Sequence, residues 1–584
     1  MMNKNIISKT FFRLLPIQII MVAIGSINSI IDGMVATNLI GPLALTACGL
    51  FFPIIKLMDT VNMTLLGGAQ ILCSNYIGKN QVNRSKSVFS LDMIAVVVFG
   101  GLLSIICYTL CQPISSLIVN DTTVASDLAD YMKGYAPGII AYLLVSQLTA
   151  FLQIEGQEKR TYIGMAMMIV TNIVADVVFV AVFKWGLFGL GLATSLSNFV
   201  YVAILISFYF TGMAGVYFQM SVVEIRDIID TIGIGFPGAT AQLAQAVRGI
   251  VLNMLMLHFV GQIGVAAFAA VNAFGCLYFA TTAGIANATR VLCSVYSGEE
   301  DRNALHEVMS IAIKKGGLMV TGIAIVLMMC AVPFTRMFYL PEAGAVYNMT
   351  RMGFLLFPLS MPFSCIFCIY SNYYQCRKHL IIANILSIVD GLVGVILFSS
   401  ILTPILAMNG IWLAQVLNGL LCVTIIYIYV CILQKKIPAS ILDTMLLPDN
   451  FGVAEENRID VCVRSMEETL ELSQQVMDFC HKHGVDNKRA IYSGLSIEEM
   501  AGNIVRHGFS DGKDHTIDVR VIYKENSLLI RIKDDCKMFN PKAMQQMMEP
   551  EDVTKNIGIR MISKMVHSLD YINSFGLNVL TLEI

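Results

Sequence analysis

Residues 71–78 read ILCSNYIG and residues 291–298 read VLCSVYSG, so one motif occurs twice in this chain, 220 residues apart. Leucine, cysteine, serine, tyrosine and glycine recur at the same five positions, and the register extends without a gap back to Gly41 and Gly261. Both copies lie in apolar sequence, and the hydropathy pattern repeats with them, which argues against chance similarity between two helices. Membrane domains built from two such copies are common among secondary transporters, whose substrate site lies between the copies.

The composition excludes a soluble globule for most of the chain. Of 584 residues, 56% are hydrophobic and 14% are charged, whereas soluble domains carry about 25% charged residues. The formal net charge of −2 gives no indication of a nucleic-acid-binding surface. Fifteen cysteines are scattered through apolar runs without metal-ligand spacing, so we expect most of them to be buried free thiols.

Apolar segments of about 20 residues are long enough to cross a bilayer as helices. The sequence predicts twelve such segments, which indicates an all-α polytopic membrane protein with two pseudo-symmetric six-helix lobes. The predicted spans are 14–38, 44–76, 88–113, 131–154, 161–183, 187–211, 230–258, 262–295, 309–334, 349–374, 380–402 and 406–434.

Lysine and arginine are distributed unequally between the segments that connect the predicted spans. Sixteen lie on one side, and four (Lys133, Lys184, Arg336 and Arg351) lie on the other. By the positive-inside rule the richer side is cytoplasmic, which places both termini inside the cell. We therefore expect a multi-pass protein of the cell membrane. Its first helix is expected to stay uncleaved, because no small-residue cleavage site follows the basic N-terminus.

The composition changes sharply after Lys436, where charged residues replace the long apolar runs. The chain therefore divides into an N-terminal lobe, a cytoplasmic linker, a C-terminal lobe, a second linker and a cytoplasmic domain. Their predicted limits are 1–211, 212–229, 230–436, 437–454 and 455–584.

Three polar side chains in the predicted first and fifth spans are candidates for ion coupling. A charged group in the membrane costs about 2.5–3.5 kcal/mol on insertion scales and is a functional candidate by default. Asp32 lies in the first span, whereas Asn172 and Asp176 lie four residues apart in the fifth, on one helical face. A carboxylate in low dielectric holds its proton more tightly, so this set predicts a proton or sodium site. The alternative is hydrogen bonding between helices without transport chemistry.

The second half of the chain carries a different polar set. Asp390 aligns with Asn172, and no acid aligns with Asp32. Arg248 and Arg290 are basic groups within predicted spans, so we expect them to pair with Asp390 or to face a water-filled cavity. Arg248 and Asp390 are therefore a candidate polar site of the C-terminal lobe.

Three segments read Asp32-Gly-Met-Val-Ala-Thr-Asn-Leu-Ile-Gly41, Asn172-Ile-Val-Ala-Asp-Val177 and Gly189-Leu-Gly-Leu-Ala-Thr194. Together they resemble signatures of the multidrug and toxin extrusion (MATE) family, and the resemblance covers the first 436 residues. It implies export of organic cations or amphipathic drugs by antiport with protons or sodium, through alternating access between two lobes. It also implies that the two acids and the asparagine named above carry the coupling-ion site of the N-terminal lobe.

Residues 455–584 show the alternating strand and helix pattern of an α/β sandwich. Strands are predicted near 458–463, 515–523, 527–534, 569–574 and 577–583. Helices are predicted near 465–483, 487–507 and 557–567.

Polar motifs follow one another in this last domain. Glu499, Asn503 and His507 are spaced by four on the second helix. Such a stripe suits a metal-bound phosphate, because an amide oxygen binds Mg²⁺ and a carboxylate activates a water or hydroxyl, although it is also typical of a solvated helix face. Next come Asp534-Asp-Cys-Lys-Met-Phe-Asn-Pro541 at a strand end and Asn556-Ile-Gly-Ile-Arg-Met-Ile562 at the start of a helix.

This ordered set resembles the GHKL ATPases, closest to the anti-sigma-factor serine kinase branch, and it implies binding of ATP and Mg²⁺. The implied nucleotide-binding residues are Asn503, Asp534, Phe539, Gly558 and Arg560. Asn503 is expected to bind the Mg²⁺ of ATP, and Glu499 is the expected catalytic residue of an active kinase. Cys536 and Asn556 stand where the family has glycine, which leaves phosphoryl transfer to a regulatory partner protein open.

The leading hypothesis is therefore an ion-coupled exporter with an appended ATP-binding regulatory domain. A flippase of lipid-linked sugars is a second class of transporter with a similar helical bundle. A third hypothesis makes the membrane part an anchor for a protein serine kinase or anti-sigma-like signalling domain. An ATP-driven pump is disfavoured because the chain has no Gly-x-x-x-x-Gly-Lys-Ser/Thr loop.

Overall fold

The computed structural model of this chain describes residues 4–119, 121–509, 515–524, 527–541 and 557–584. Long apolar runs form helices from residue 4 to residue 434, because backbone polar groups inside a membrane need partners within the segment itself. The helices of the first half are α1 (Lys4–Val35), α2 (Pro42–Leu50), α3 (Phe52–Gly78), α4 (Val82–Thr109), α5 (Cys111–Ile118), α6 (Thr122–Tyr135), α7 (Ile139–Ile154), α8 (Glu158–Asp176) and α9 (Gly186–Ile206).

The second half repeats this series. Its helices are α10 (Arg226–Phe259), α11 (Gln262–Ala273), α12 (Gly275–Gly298), α13 (Arg302–Ser310), α14 (Gly317–Met329), α15 (Ala331–Phe338), α16 (Ala345–Leu356), α17 (Met361–Cys376), α18 (Leu380–Ile388), α19 (Gly394–Leu406) and α20 (Met408–Gln434). A single turn, α21 (Ile441–Thr444), follows them.

Ten helical stretches in the described part are long and apolar enough to cross a membrane. The bent pair formed by α11 and residues Tyr278–Gly298 of α12 brings the number to eleven. The remaining predicted span, 230–258, lies within α10, which is not among these stretches and carries Gln242, Gln245 and Arg248 along its middle. The structure thus supports a multi-pass helical membrane protein, and the count of twelve spans stays a prediction.

Irregular turns interrupt the helices at matching places in the two halves. Two π-helical segments, Val177–Val182 and Val389–Val393, directly follow α8 and α18. Two 3₁₀ turns, Ala136–Gly138 and Phe357–Ser360, each contain a proline and precede α7 and α17. The π segments adjoin Asp176 and include Asp390, and such segments occur frequently at functional sites.

The two copies of the opening motif contact each other where α3 and α12 end. An ideal β-carbon on Gly78 would lie well under 3.0 Å from the carbonyl oxygen of Val295, and one on Gly298 would lie equally close to that of Asn75. Real β-carbons essentially never approach other atoms so closely. Asn75 Nδ2 also donates to the Ser294 carbonyl at 3.4 Å. The final glycine of each copy is therefore required by the backbone of the other copy.

Glycine permits a second close approach between the halves, along α3 and α10. A β-carbon on Gly68 would collide with the Thr231 carbonyl, and one on Gly235 would collide with the Thr64 carbonyl. Small residues let membrane helices pack backbone against backbone. These contacts join α3 of the first half to α10, the helix that begins the second half.

Residues 458–584 form a five-stranded antiparallel sheet in the order β1–β2–β3–β5–β4. The strands are β1 (Arg458–Val463), β2 (Ile517–Lys524), β3 (Ser527–Asp534), β4 (Ser568–Ser574) and β5 (Leu577–Glu583), and the helices are α22 (Met466–Lys482), α23 (Asn487–Asn503) and α24 (Ile557–Met565). A π-helical segment, Ile504–Gly508, extends α23. The predicted strands and helices of this domain are confirmed, with ends that differ by about two residues.

The two faces of the sheet differ in polarity because side chains alternate along each strand. Val519 and Ile530 belong to the apolar core that the sheet shares with α22, α23 and α24. The alternate positions carry Arg520, Arg531 and Lys533, which point to the opposite face. That charged face packs against one end of the helical bundle, hereafter the domain-facing end.

Candidate functional site

Asp32 is held on α1 within reach of α9. Its side chain is buried, and Thr194 Oγ1 donates to Asp32 Oδ2 at 3.2 Å. Asp32 Oδ1 is also buried, and it has no hydrogen-bond partner among the described residues. Thr194 ends one of the three family-like segments, but its spacing alone did not mark it as a site residue. The structure adds it to the candidate site.

Asn172 and Asp176 complete this site from α8. Both side chains are fully buried, and their terminal oxygen and nitrogen atoms have no hydrogen-bond partner within the described part of the chain. Asp176 lies within electrostatic range of Asp32, whose charge acts on it. Buried polar atoms are rarely left unpaired. Two carboxylates and one amide with open coordination positions are suited to hold a proton or a sodium ion.

A second polar cluster of the first half was not among the predicted site residues. Lys56 Nζ forms an ion pair with Asp59 at 3.1 Å on α3, and Tyr142 donates to Asp59 at 2.6 Å. Lys56 also reaches Gln242 of α10 at 3.4 Å. This cluster links the two halves of the bundle, and the three-residue spacing of Lys56 and Asp59 was the only sequence signal for it.

The predicted polar site of the second half has a different geometry from that of the first. Arg248 Nη1 donates to the backbone carbonyl of Asp390 at 3.1 Å, and the Asp390 carboxylate accepts from Asn418 at 2.9 Å. Arg290 donates to Gln70 at 2.8 Å and lies 3.5 Å from the Asn372 amide oxygen. Arg290 therefore contacts the equivalent position of the other repeat and does not pair with Asp390.

In the last domain, Glu499 lies directly against the start of α24. A β-carbon on Gly558 would collide with the Glu499 carboxylate, so a larger residue there would require the Glu499 side chain to move. Asn503 lies one turn further along α23 and is half-buried. The structure thus brings the predicted catalytic residue, Glu499, together with the predicted phosphate loop at Gly558.

Asp534 is buried at the end of β3, where β5 holds it in place. Its Oδ1 accepts from Asn578 Nδ2 at 2.8 Å and from the Cys536 backbone amide at 2.9 Å. Burial raises the pKa of Asp534, and the Asn578 hydrogen bond opposes part of that rise. Asn578 was not predicted as a site residue, because a lone asparagine in a strand gives no recognisable signal. It positions the carboxylate that the sequence predicts to bind adenine.

The remaining predicted nucleotide residues are placed as follows. Phe539 is exposed, and Arg560 is half-buried in the first turns of α24. Cys536 packs against Gly508, where a β-carbon would lie 2.8 Å from its Sγ. Asn556 lies outside the described residues. The buried Asp534 and the contact between Glu499 and Gly558 fit an adenine nucleotide with a metal-bound phosphate.

Family comparisons identify both parts of the chain. The MatE family model matches residues 18–180 and 237–399, more than half of the sequence, and it matches in two stretches that contain the two copies of the motif. This protein belongs to the MatE family. The model of the histidine kinase-like ATPase domain matches residues 464–584, so the chain ends in a domain of that type.

Solved structures show the same membrane fold. A MATE transporter in complex with MaL6 has a TM-score of 0.68 at 20% identity, over 74% of this chain and 98% of its own. A multidrug resistance MATE family transporter of the MOP superfamily, in its outward-facing conformation, gives 0.67 at 20% identity, over 74% and 97%. A MOP superfamily transporter from Pyrococcus furiosus gives 0.67 at 21%, over 72% and 94%. No curated protein matches the chain.

Proposed function

We propose that this protein is a secondary active exporter that exchanges organic cations or amphipathic drugs for protons or sodium ions. One observation carries the proposal: Asp32 and Asp176 are both buried, within electrostatic range of each other, and three of their four carboxylate oxygens have no partner among the described residues. Such a pair is costly inside a membrane and is retained for ion binding or proton transfer. Membership of the MatE family supports the same conclusion.

The coupling ion acts by changing the charge of this site. Binding of a proton or sodium ion neutralises one carboxylate and favours release of the cationic substrate on the outside. When the ion leaves to the inside, the site recovers its negative charge and the substrate binds again. One charge moving down the membrane potential supplies about 2.3 kcal/mol per 100 mV, which is enough to bias such a cycle.

The domain-facing end of the bundle is proposed to be cytoplasmic. The basic N-terminal residues Lys9 and Arg13 contact the last domain at this end, and the excess of basic residues in the connecting segments points the same way. The protein is then a multi-pass protein of the cell membrane, with two lobes that carry the two repeats and with both termini inside the cell.

The last domain is proposed to bind ATP with Mg²⁺ as a regulatory ligand. Asp534 would accept from the adenine amino group, Asn503 would bind the metal, and Gly558 and Arg560 would meet the phosphates. Helix N-termini bind phosphate groups through free backbone amides. A bound nucleotide would supply negative charge at the start of α24, and this charge would act on the residues around it.

Competition between ion and substrate tests the transport site directly. Full-length protein in detergent should bind the fluorescent organic cation ethidium, and protons or sodium ions should displace it. Asp32→Asn and Asp176→Asn should each weaken binding and abolish the displacement, whereas Asp127→Asn on α6 serves as a matched control. Displacement that persists in both site variants would show that the ion binds elsewhere.

Nucleotide binding is tested on the same full-length protein. A nonhydrolysable ATP analogue with Mg²⁺ should raise the unfolding temperature of the protein, and Asn503→Ala and Asp534→Asn should remove the shift. Equal shifts in wild type and both variants would contradict the assigned site.

Protein kinase activity is a second candidate function of the last domain. The contact of Glu499 with Gly558 favours it, because it places a carboxylate where it could take a proton from an attacking hydroxyl. Transfer of the γ-phosphoryl group of ATP to a partner protein should then be lost in Glu499→Gln while nucleotide binding persists. If no partner accepts phosphate, the domain acts as a nucleotide sensor.

A further inference from the structure

The charged face of the sheet is buried within this chain. Arg520 is 7% exposed and Arg531 is 4% exposed, which is unusual for arginines unless they are paired. The covering surface is the domain-facing end of the helical bundle. A cavity of about 30 Å³ remains between them, next to Ile7 and Tyr296, which leaves room for about one water molecule. The two parts are therefore closely packed around the arginines, whereas a wider cavity of about 540 Å³ lies between residues 80–86 and β4.

The second repeat supplies an acidic turn, Glu299–Asp301, directly after α12. Lys533 Nζ lies 2.7 Å from Glu299 Oε2, and Arg531 Nη1 lies 3.5 Å from the same oxygen. Arg520 forms an ion pair with Asp301, whose other oxygen caps α13. Because Glu299 is almost fully buried, its pair with Lys533 is screened little by solvent.

The first repeat is held by the same sheet through backbone and side-chain groups. Arg531 Nη2 donates to the carbonyl of Gly78 at 2.9 Å, the glycine that ends the first copy of the motif. Asn80 donates to Asp570 at 3.2 Å, and the Phe575 amide donates to the Ile154 carbonyl at 2.9 Å. The sheet thus contacts the ends of α3 and α7 in the first repeat.

Arg531 therefore joins both repeats with one side chain. Its guanidinium reaches Gly78 on α3 and Glu299 just beyond α12, at the place where the two motif copies touch. A membrane part that opens toward this end must separate α3 from α12. Such a separation breaks either the contact with Gly78 or the contact with Glu299.

We propose that residues 458–584 act as a clamp that holds the domain-facing ends of the two repeats together and slows the opening of the transporter toward that side. The clamp surface consists of Arg520, Arg531, Lys533 and Lys524, whose Nζ lies 3.0 Å from Glu300 Oε2. Its counterpart consists of the acidic turn and the carbonyl of Gly78. This inference rests on the proposed transport function, because it assigns a regulatory role to the domain that the transporter carries.

The nucleotide site shares its segments with the clamp contacts. Asp535, next to Asp534, pairs with Lys9 of α1 at 3.2 Å. Gly576, two residues before Asn578 along the chain, accepts from Arg13 at 3.2 Å. The same segments therefore position the nucleotide residues and fasten the domain to α1. We therefore expect nucleotide binding to change the strength of the clamp contacts.

Hydrogen–deuterium exchange of the full-length protein tests the clamp without relying on transport. Lys533→Glu and Glu299→Gln weaken the same contact from opposite sides, so both should accelerate exchange at residues 74–84 and 296–305. Lys533→Arg should keep the wild-type rates. Lys482→Glu is the control, because exposed Lys482 forms no ion pair with the described residues.

The transport rate of the same variants in proteoliposomes tests whether the clamp slows the transport cycle. Ethidium exchange should accelerate about fivefold or more in Lys533→Glu and Glu299→Gln, and should be unchanged in Lys533→Arg and Lys482→Glu. Wild-type exchange protection in Lys533→Glu, or faster local exchange without faster transport, would overturn the clamp. If hydrogen–deuterium exchange accelerates locally as expected but neither the wild type nor any variant transports ethidium, the proposed transport function is overturned. The contact between the sheet and the bundle then still stands.

Discussion

Replacing Gly78 or Gly298 by alanine tests the contact between the two motif copies. The added β-carbon would lie well under 3.0 Å from a carbonyl oxygen of the opposite helix end. The two backbones must then move apart by about 1 Å to restore an ordinary contact distance. Inserting a methyl group into a packed site costs about 1–3 kcal/mol. Since 1.36 kcal/mol corresponds to tenfold, the closed arrangement should lose a factor of about 5 to 150 in population.

The opposing effect of alanine on helix propensity is smaller. Alanine stabilises a helix interior by roughly 0.5–1 kcal/mol relative to glycine, and Gly78 and Gly298 end their helices, where the gain is reduced. Gly249 in α10 and Gly322 in α14 provide matched controls, because nothing lies within 4 Å of a β-carbon at either position. Their alanine variants should be neutral or slightly stabilised.

Two measurements on full-length protein in detergent read out this prediction. Thermal unfolding should show lower midpoints for Gly78→Ala and Gly298→Ala than for the two control variants. Hydrogen–deuterium exchange should accelerate around residues 74–84 and 294–302, and not elsewhere. If the motif variants match the controls in both measurements, the copies are not in backbone contact and the reasoning is refuted.

Three further predictions concern the last domain. Burial raises the pKa of Asp518 from 3.8 to about 7, so the unfolded chain ionises first and the protein loses stability as the pH rises from about 4 to 7. Asp518→Asn should therefore raise the unfolding temperature most at pH 8, and should leave it unchanged near pH 3, where the wild-type group is protonated in both the folded and the unfolded state. Gly558→Ala places a methyl group against the carboxylate of Glu499 and should lower the affinity for an ATP analogue, as seen by thermal shift, by about tenfold or more; an unchanged affinity would show that the two groups are not in contact. Asn578→Ala removes a buried partner of Asp534, which should cost about 1–3 kcal/mol of stability and weaken nucleotide binding; calorimetry that finds wild-type affinity would contradict its positioning role.

Local patterns predicted the last domain well because its signals are local. The alternation of apolar and charged residues in β2 and β3 fixes which side chains face α22 and α23. The same alternation put Arg520, Arg531 and Lys533 on the opposite face. Nothing in the alternation says what covers that face, since the partner surface at Glu299 is more than 200 residues away in sequence.

In the membrane part, the sequence was informative where a residue type is unusual for an apolar helix. It was less informative where a polar residue has several possible partners. Asp32 and Asp176 stood out because acids are costly in apolar helices, and the structure brings them within electrostatic range of each other. Arg290 has several possible partners along neighbouring helices, and its contact with Gln70 depends on how the repeats cross. The span count was ambiguous for α10, where polar residues weaken the apolar signal.

Gradient-driven transport is the most direct test of the central claim. Proteoliposomes that contain the full-length protein should accumulate or expel ethidium when a proton or a sodium gradient is imposed separately, and only one of the two ions should drive the movement strongly. Asp32→Asn and Asp176→Asn should abolish the gradient-driven movement, while Asp127→Asn should retain it. Equal transport in wild type and both site variants under the driving gradient would contradict the account, because coupling would then not depend on the buried carboxylates.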